Sequence, residues 1–248
     1  MKSKSIAYSA IAGAMLFCFG LSLHAQSVVS VQFTGSYTTT WGNDSGDYGA
    51  GIYGGDINGS SSPGIICDDF NDEIYSGESW KANAYQASQL TATDPSTGLP
   101  YLDDTLFGSK IGFNGYAEMA ELVSMMFSGG SSFGGITGIT QAELSSAIWD
   151  IGLGGGLQGL DSKTVSLISA LQSYFATHSA TAFLDSMTNL WILTPNPEGP
   201  GEPQEMWTEN LSVPEGGAAL LYLLFGGFSC FGGLFTKRRR LAVRRVAA

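Results

Sequence analysis

An uncharged run of 20 residues, 217–236, is followed at once by Lys237-Arg238-Arg239-Arg240. No other feature restricts the chain so severely. Leu, Phe, Gly and Ala dominate the run. As a helix rising about 1.5 Å per residue it reaches about 30 Å, the thickness of a hydrocarbon core. Basic residues beside a span stay on the cytoplasmic side. The run is therefore read as a transmembrane helix with the basic tail 237–248 inside, which puts the preceding residues outside the inner membrane.

The distribution of charge agrees with that polarity. Eight of the 11 basic residues lie at the two ends, Lys2 and Lys4 at the start and six in the last twelve positions. Residues 26–215 hold only Lys81, Lys110 and Lys163 against all 22 acids, a net of −19. Such a body repels phosphate backbones, which excludes nucleic acid as a partner. Residues 1–25 read as a secretory signal peptide: a basic start, an apolar run over 6–23, and a cut after Ala25, with Leu23 bulkier than the small residue usually preferred two positions earlier. Cys18 follows Met15-Leu16-Phe17 and lacks the small neighbour that a lipidated cysteine needs. The Sec translocon is the implied export route.

Val213-Pro214-Glu215-Gly216-Gly217, the span and the basic cluster at the chain end together resemble the PEP-CTERM sorting signal of Gram-negative bacteria. The resemblance covers 213–248. It implies that an exosortase recognises the tail, processes the chain near Pro214-Glu215 and passes it to the cell envelope. Pro-Glu-Gly stands here where the family has Pro-Glu-Pro, which leaves the processing site open. A permanent membrane anchor is the alternative reading of the same residues.

The segment 28–209 reads as one exported α+β domain, with 210–248 as the sorting signal. Val29, Val31 and Phe33 alternate with Ser30, Gln32 and Thr34, the period of a half-buried strand. Further strands are expected over 38–41, 48–57, 64–70 and 79–90, separated by Gly, Asn, Asp, Ser and Pro. The expectation is an N-terminal antiparallel sheet or sandwich. Beyond residue 110 the period lengthens. Tyr116, Met119, Ala120, Val123, Met126 and Phe127 form one helical stripe, with Glu118, Glu121 and Ser124 off it. A second helix starts at Thr140, with Glu143 completing a capping box. A third starts near Asp161 and is expected to bury Val165, Ile168, Leu171 and Phe175. The helical subdomain thus has about three helices. Strands over 190–193 and 204–208 flank a Pro- and Gly-rich loop.

Cys67 is the residue with the most chemical interest, because Cys18 leaves with the signal and Cys230 lies in the span. One thiol cannot form an internal disulfide in an oxidising compartment. Ile65-Ile66-Cys67-Asp68 on a strand, followed some eighty residues later by Ala147-Ile148-Trp149 on a helix, is similar to bacterial thioester domains of surface adhesins. The resemblance implies a cysteine and a glutamine that condense to an internal thioester, which an amine later opens to form a covalent bond. Ser145 occupies the position matched to that glutamine, and Gln141, one helical turn earlier, is the substitute partner. A domain that keeps the fold without the bond is the other reading.

Other chemistry finds little support. Asp68 and Asp69 offer oxygen ligands for calcium, or a solvated acidic turn, and no EF-hand spacing fits. Gly154-Gly155-Gly156-Leu157-Gln158-Gly159 satisfies G-x-G-x-x-G but follows a helix, so it reads as a helix–helix loop. His178 is the only histidine of the body, which excludes histidine-cluster zinc sites, and there is no G-x-S-x-G elbow. No cofactor and no catalytic constellation are expected. The sequence points to a non-enzymatic envelope or extracellular-matrix protein, sorted by an exosortase, that engages a polysaccharide or surface ligand. A covalent adhesin built on Cys67 is the alternative.

Overall fold

The computed structural model describes residues 27–43, 46–61, 64–95, 97–196 and 203–211, all within the compact unit Gln26–Val213. Among them no helix is long and apolar enough to cross a membrane. The signal peptide, the span 217–236, the sorting motif 213–217 and the basic tail lie outside the described residues.

Seven strands form one antiparallel sheet: β1 (Ser27–Asn43), β2 (Gly46–Ile57), β3 (Ser60–Ser61), β4 (Ile65–Cys67), β5 (Ser79–Gln86), β8 (Leu190–Pro195) and β9 (Met206–Glu209). β6 (Ser132–Phe133) and β7 (Ile136–Thr137) form a separate small hairpin. The order is β1-β5-β8-β9-β4-β2-β3, and β1 also pairs with β2. Of the two expected arrangements, antiparallel sheet or sandwich, the structure has the single sheet, and it closes on itself. Closure is possible because β1 is long: Ser27–Gln32 face β5, and residues from Val31 onward face β2. The register slips between Phe33 and Tyr37, where Gly35 has φ 88°, and such a bulge bends a strand. A Cβ on Gly35 would meet the Ser76 side chain at 2.3 Å.

Alternation decides what the closed sheet encloses. Val29, Val31, Phe33, Ile65, Cys67, Ala82, Ala84, Leu193 and Met206 belong to one core, on the inside of the ring, which Trp149 also joins. Ile66, Tyr85, Leu190, Ile192 and Trp207, one residue out of phase, face the helices. This is the two-residue period of a strand with both faces covered.

The helical layer has four helices among the described residues, one more than expected: α1 (Gly108–Ser128, broken at Gly112), α2 (Gln141–Gly152), α3 (Ser162–Phe175) and α4 (Ala180–Ser186). α4 has seven residues, too few to display a stripe in the sequence. The capping box forms at α2: Thr140 Oγ1 accepts from Glu143 N, and Glu143 Oε2 accepts from Thr140 N. Asp161 accepts from Thr164 N and caps α3. Two expectations need correction. Val165 is 49% exposed, and the buried stripe of α3 is Thr164, Leu167, Ile168, Leu171 and Phe175. Glu118, expected off the apolar stripe of α1, is buried at 7% exposure, because tertiary neighbours cover more of α1 than its stripe.

The helices are held on the sheet by a close approach at the end of α2. A Cβ on Gly152 would meet the Asp68 carbonyl at 2.7 Å. That atom is backbone and has little room to move. Gly152→Ala is therefore expected to push α2 off the end of β4 and destabilise the domain by about 1–3 kcal/mol, read as a lower urea midpoint at unchanged m-value.

Candidate functional site

β4 is three residues long, and its register fixes the site. Cys67 pairs with Met206 and Ile66 with Trp207. Beyond the ladder, Asp68 N donates to the Glu205 carbonyl at 3.4 Å. Side chains alternate along both segments, so Cys67 and Gln204 share one face while Asp68 and Glu205 share the other.

On the first face, Cys67 Sγ lies 2.9 Å from Gln204 Oε1 and 2.9 Å from the Asp69 carbonyl. Gln204 Nε2 donates to the Asp69 carbonyl at 2.9 Å and to the Asp72 carbonyl. The two carbonyls hold the amide nitrogen, and the amide oxygen is thereby turned toward the thiol. The amide carbon is one C=O bond, about 1.23 Å, from that oxygen. A sulfur 2.9 Å from that oxygen lies on the order of 3–4 Å from the acyl carbon, at or just beyond the separation of about 3–3.5 Å from which bonds form. Trp149 Nε1 donates to the Cys67 carbonyl at 3.1 Å, which ties α2 to β4. Trp41, Tyr48, Phe70 and Trp149 pack around this point in edge-to-face and tilted pairs.

The pair lies in the wall of a cleft of about 470 Å³ that Tyr37, Tyr48, Asp69, Phe70, Asp72 and Trp149 also line. Among the described residues no lysine, arginine or histidine lines it. Burial pushes the Cys67 thiol up, and the charges of Asp68 and Asp69 add to the shift. The sulfur is therefore a neutral thiol, unlike the cation-stabilised thiolates of cysteine hydrolases and redox enzymes. Burial likewise raises Asp69 to about 6.

The glutamine that meets the thiol is Gln204 rather than Gln141. Gln141 Oε1 accepts from Thr38 Oγ1, on β1, and Ser145 Oγ accepts from Gly51 N at 2.8 Å, on β2. Both fasten the first half of α2 to the sheet. Gln204 follows the Pro-rich loop and lies 137 positions from Cys67. Nothing in local spacing singles it out. The one sequence signal is the parallel between Cys67-Asp68 and Gln204-Glu205, a functional residue followed by an acid on each of two strand ends.

Asp68 and Asp69 do not converge on a cation. Asp68 Oδ2 accepts from Trp207 Nε1 at 2.6 Å, while Asp69 Oδ1 accepts from Asn71 N at 2.9 Å. Among the described residues no group of three metal-ligating side chains is gathered. His178 stacks on Tyr174 at 3.9 Å at the end of α3, and its Nδ1 lies 2.8 Å from the Tyr174 carbonyl. The glycine-rich loop closes α2, where Asp150 Oδ1 accepts from Leu157 N at 2.8 Å.

Among the described residues Glu118 has no ion-pair partner, and burial raises it to about 7. For Glu118 and Asp69 the folded domain retains protons that the unfolded chain releases. Their contribution to stability is fully present below the unfolded values near 4 and is lost as pH climbs through about 6 and about 7. The urea midpoint is expected to fall between about pH 4 and pH 8. Glu118→Gln should match the wild type at the acid end and exceed it at the alkaline end.

No family model matches the chain, and neither a curated protein nor a solved structure matches it.

Proposed function

We propose that this chain is an exported surface protein whose domain stores an internal thioester between Cys67 and Gln204 and uses it to attach covalently to an amine-bearing partner. The observation that carries the reading is the 2.9 Å approach of Cys67 Sγ to the Gln204 carboxamide, both held from behind by backbone. The Sγ–H bond and the bond from the amide carbon to nitrogen break, a bond from sulfur to that carbon forms, and the thiol proton leaves with ammonia. Ammonia takes up a further proton in water, which pulls the step forward. Holding the two groups in contact replaces a bimolecular encounter with an effective concentration on the order of 10⁵ M or more. A primary amine later attacks the acyl carbon, a C–N bond forms, the C–S bond breaks and the sulfur regains a proton. Each chain reacts once, so the domain is a reagent rather than a turnover catalyst.

The electrostatics favour storage. Thiol and thioester both leave sulfur uncharged, whereas hydrolysis and aminolysis expel it as a thiolate, which this buried and acid-flanked position disfavours. Carboxylates and aromatic faces along the cleft suit the approach of an ammonium ion. Export and display follow from the termini: Sec-dependent translocation through the signal 1–25, temporary anchoring of 217–236 in the inner membrane with 237–248 in the cytoplasm, and exosortase processing near Pro214-Glu215. A polysaccharide or protein surface outside the cell then supplies the amine.

Intact mass of the purified protein tests the bond. The wild type is expected to be lighter than its sequence by one ammonia, and methylamine should restore mass as a methylamide. Cys67→Ala and Gln204→Ala should both lack the deficit, and Gln141→Ala should retain it. A full-mass wild type whose Cys67 alkylates completely on unfolding would overturn the covalent reading and leave a non-covalent matrix role. For sorting, replacement of Pro214-Glu215, or deletion of the exosortase, should hold the precursor in the inner membrane with its tail attached. A mature surface form that still contains Cys230 would show that the span is a permanent anchor.

A further inference from the structure

Immediately behind the reactive pair, on the opposite face of the same two strand ends, two carboxyl groups are removed from water. Asp68 and Glu205 are both fully buried. Glu205 Oε1 accepts from Tyr116 Oη at 2.6 Å; its Oε2 accepts from Leu106 N at 2.9 Å and from Thr194 Oγ1. Asp68 Oδ2 accepts from Trp207 Nε1 at 2.6 Å, but Asp68 Oδ1 has no N–H or O–H donor. Asp68 and Glu205 lie on the same face of the paired strand ends, and the charge of Glu205 is among the causes that raise Asp68. Two of the three lysines of the domain are engaged elsewhere, Lys81 with Ser30 and Lys163 with Glu143 and the Gly138 carbonyl, and Lys110 is exposed in the first turn of α1. Among the described residues no ion pair to either acid is formed.

We propose that Asp68 and Glu205 share a single proton, carried on Asp68 Oδ1 and donated to Glu205, and that this bond is the positioning element that holds Cys67 against Gln204. The donor count assigns the roles. Glu205 receives three donors and is the ionised member, while Asp68 receives one and has an oxygen with nothing to accept. Two buried carboxylates in contact repel, whereas one proton between them makes a short charge-assisted bond. The bond also has mechanical leverage. Gln204 and Glu205 precede β9, where the backbone contact to the end of β4 is a long one, Asp68 N to the Glu205 carbonyl at 3.4 Å. The side chain of Glu205 supplies the firm anchor, joining β8 through Thr194, α1 through Tyr116, and Leu106, two residues before α1. Moving Glu205 moves Gln204. Burial and the neighbouring carboxylate both raise Asp68, and Tyr116, Asp69 and Cys67 are the other titratable groups that act on or near the pair. Strong alkali removes the shared proton and turns the clamp into a repulsion. The use of the clamp rests on the thioester reading, but its existence does not.

The test uses the full chain purified in detergent. Infrared difference spectra at about pH 8.5, above the values to which Asp69 and Glu118 are raised, should show a protonated-carboxyl band in the wild type and none in Asp68→Asn. Should that variant fail to accumulate, carboxyl-labelled aspartate in the wild type assigns the band by its isotope shift. Asp68→Asn places an amide donor opposite Glu205 at every pH. Amide-exchange protection around Cys67 and Met206 should fall at least about tenfold in the wild type between neutral pH and about pH 10 and stay level in Asp68→Asn. Asp68→Ala should lose that protection already at neutral pH, with the asparagine variant restoring it. Absence of the band in the wild type, or parallel exchange profiles for wild type and Asp68→Asn, would overturn the clamp. A wild type of full mass sinks the thioester instead, because neither the band nor the exchange profile depends on that bond.

Discussion

The pairing of β4 with β9 is a contact of three residues on a side, and the site depends on it. It joins segments separated by more than half of the domain, and closing so long a loop has an entropic cost that three ladder positions do little to offset. The surrounding contacts supply the rest. Trp149 holds the Cys67 carbonyl, Gly152 rests against the Asp68 carbonyl, and Trp207 and Tyr116 fill the acid pocket. α2 is tied in turn to β1 and β2 through Gln141 and Ser145. Once this register is set, strand alternation alone sorts the residues: sulfur and carboxamide to the cleft side, two acids to the helix side.

Charge works on this frame in a consistent direction. The domain has few cations, and burial favours the protonated form of its buried carboxyl groups. Asp68, Asp69, Glu118 and Glu205 are all raised, each with burial as the leading cause. A thiol in such surroundings cannot persist as a thiolate. The same surroundings suit a sulfur that is acylated, since an acyl–sulfur bond carries no charge to desolvate.

Much of the scaffold was legible from local pattern. The alternation of Val29, Val31 and Phe33 marked β1, and Thr140 with Glu143 marked the start of α2 through chemistry confined to four residues. What escaped depends on long-range contact. α4 is too short to show periodicity. Val165 and Glu118 exchanged their expected environments because the covered face of a helix is set by the neighbours that pack on it. Gln204 escaped for the same reason at larger scale. Its role comes from a strand register between distant segments, and no window of sequence holds both partners. The helix resemblance drew attention to Gln141, whose position one turn from Ser145 is sound, but that end of α2 faces β1 and β2 rather than β4.

The most direct measurement is the position of an incorporated amine. After incubation of the intact protein with isotopically labelled methylamine, tandem mass spectrometry of its peptides should locate the label on the side chain of Gln204, in stoichiometric yield, with a matching new thiol at Cys67. Label on Gln141, or no label on any glutamine, would contradict the account.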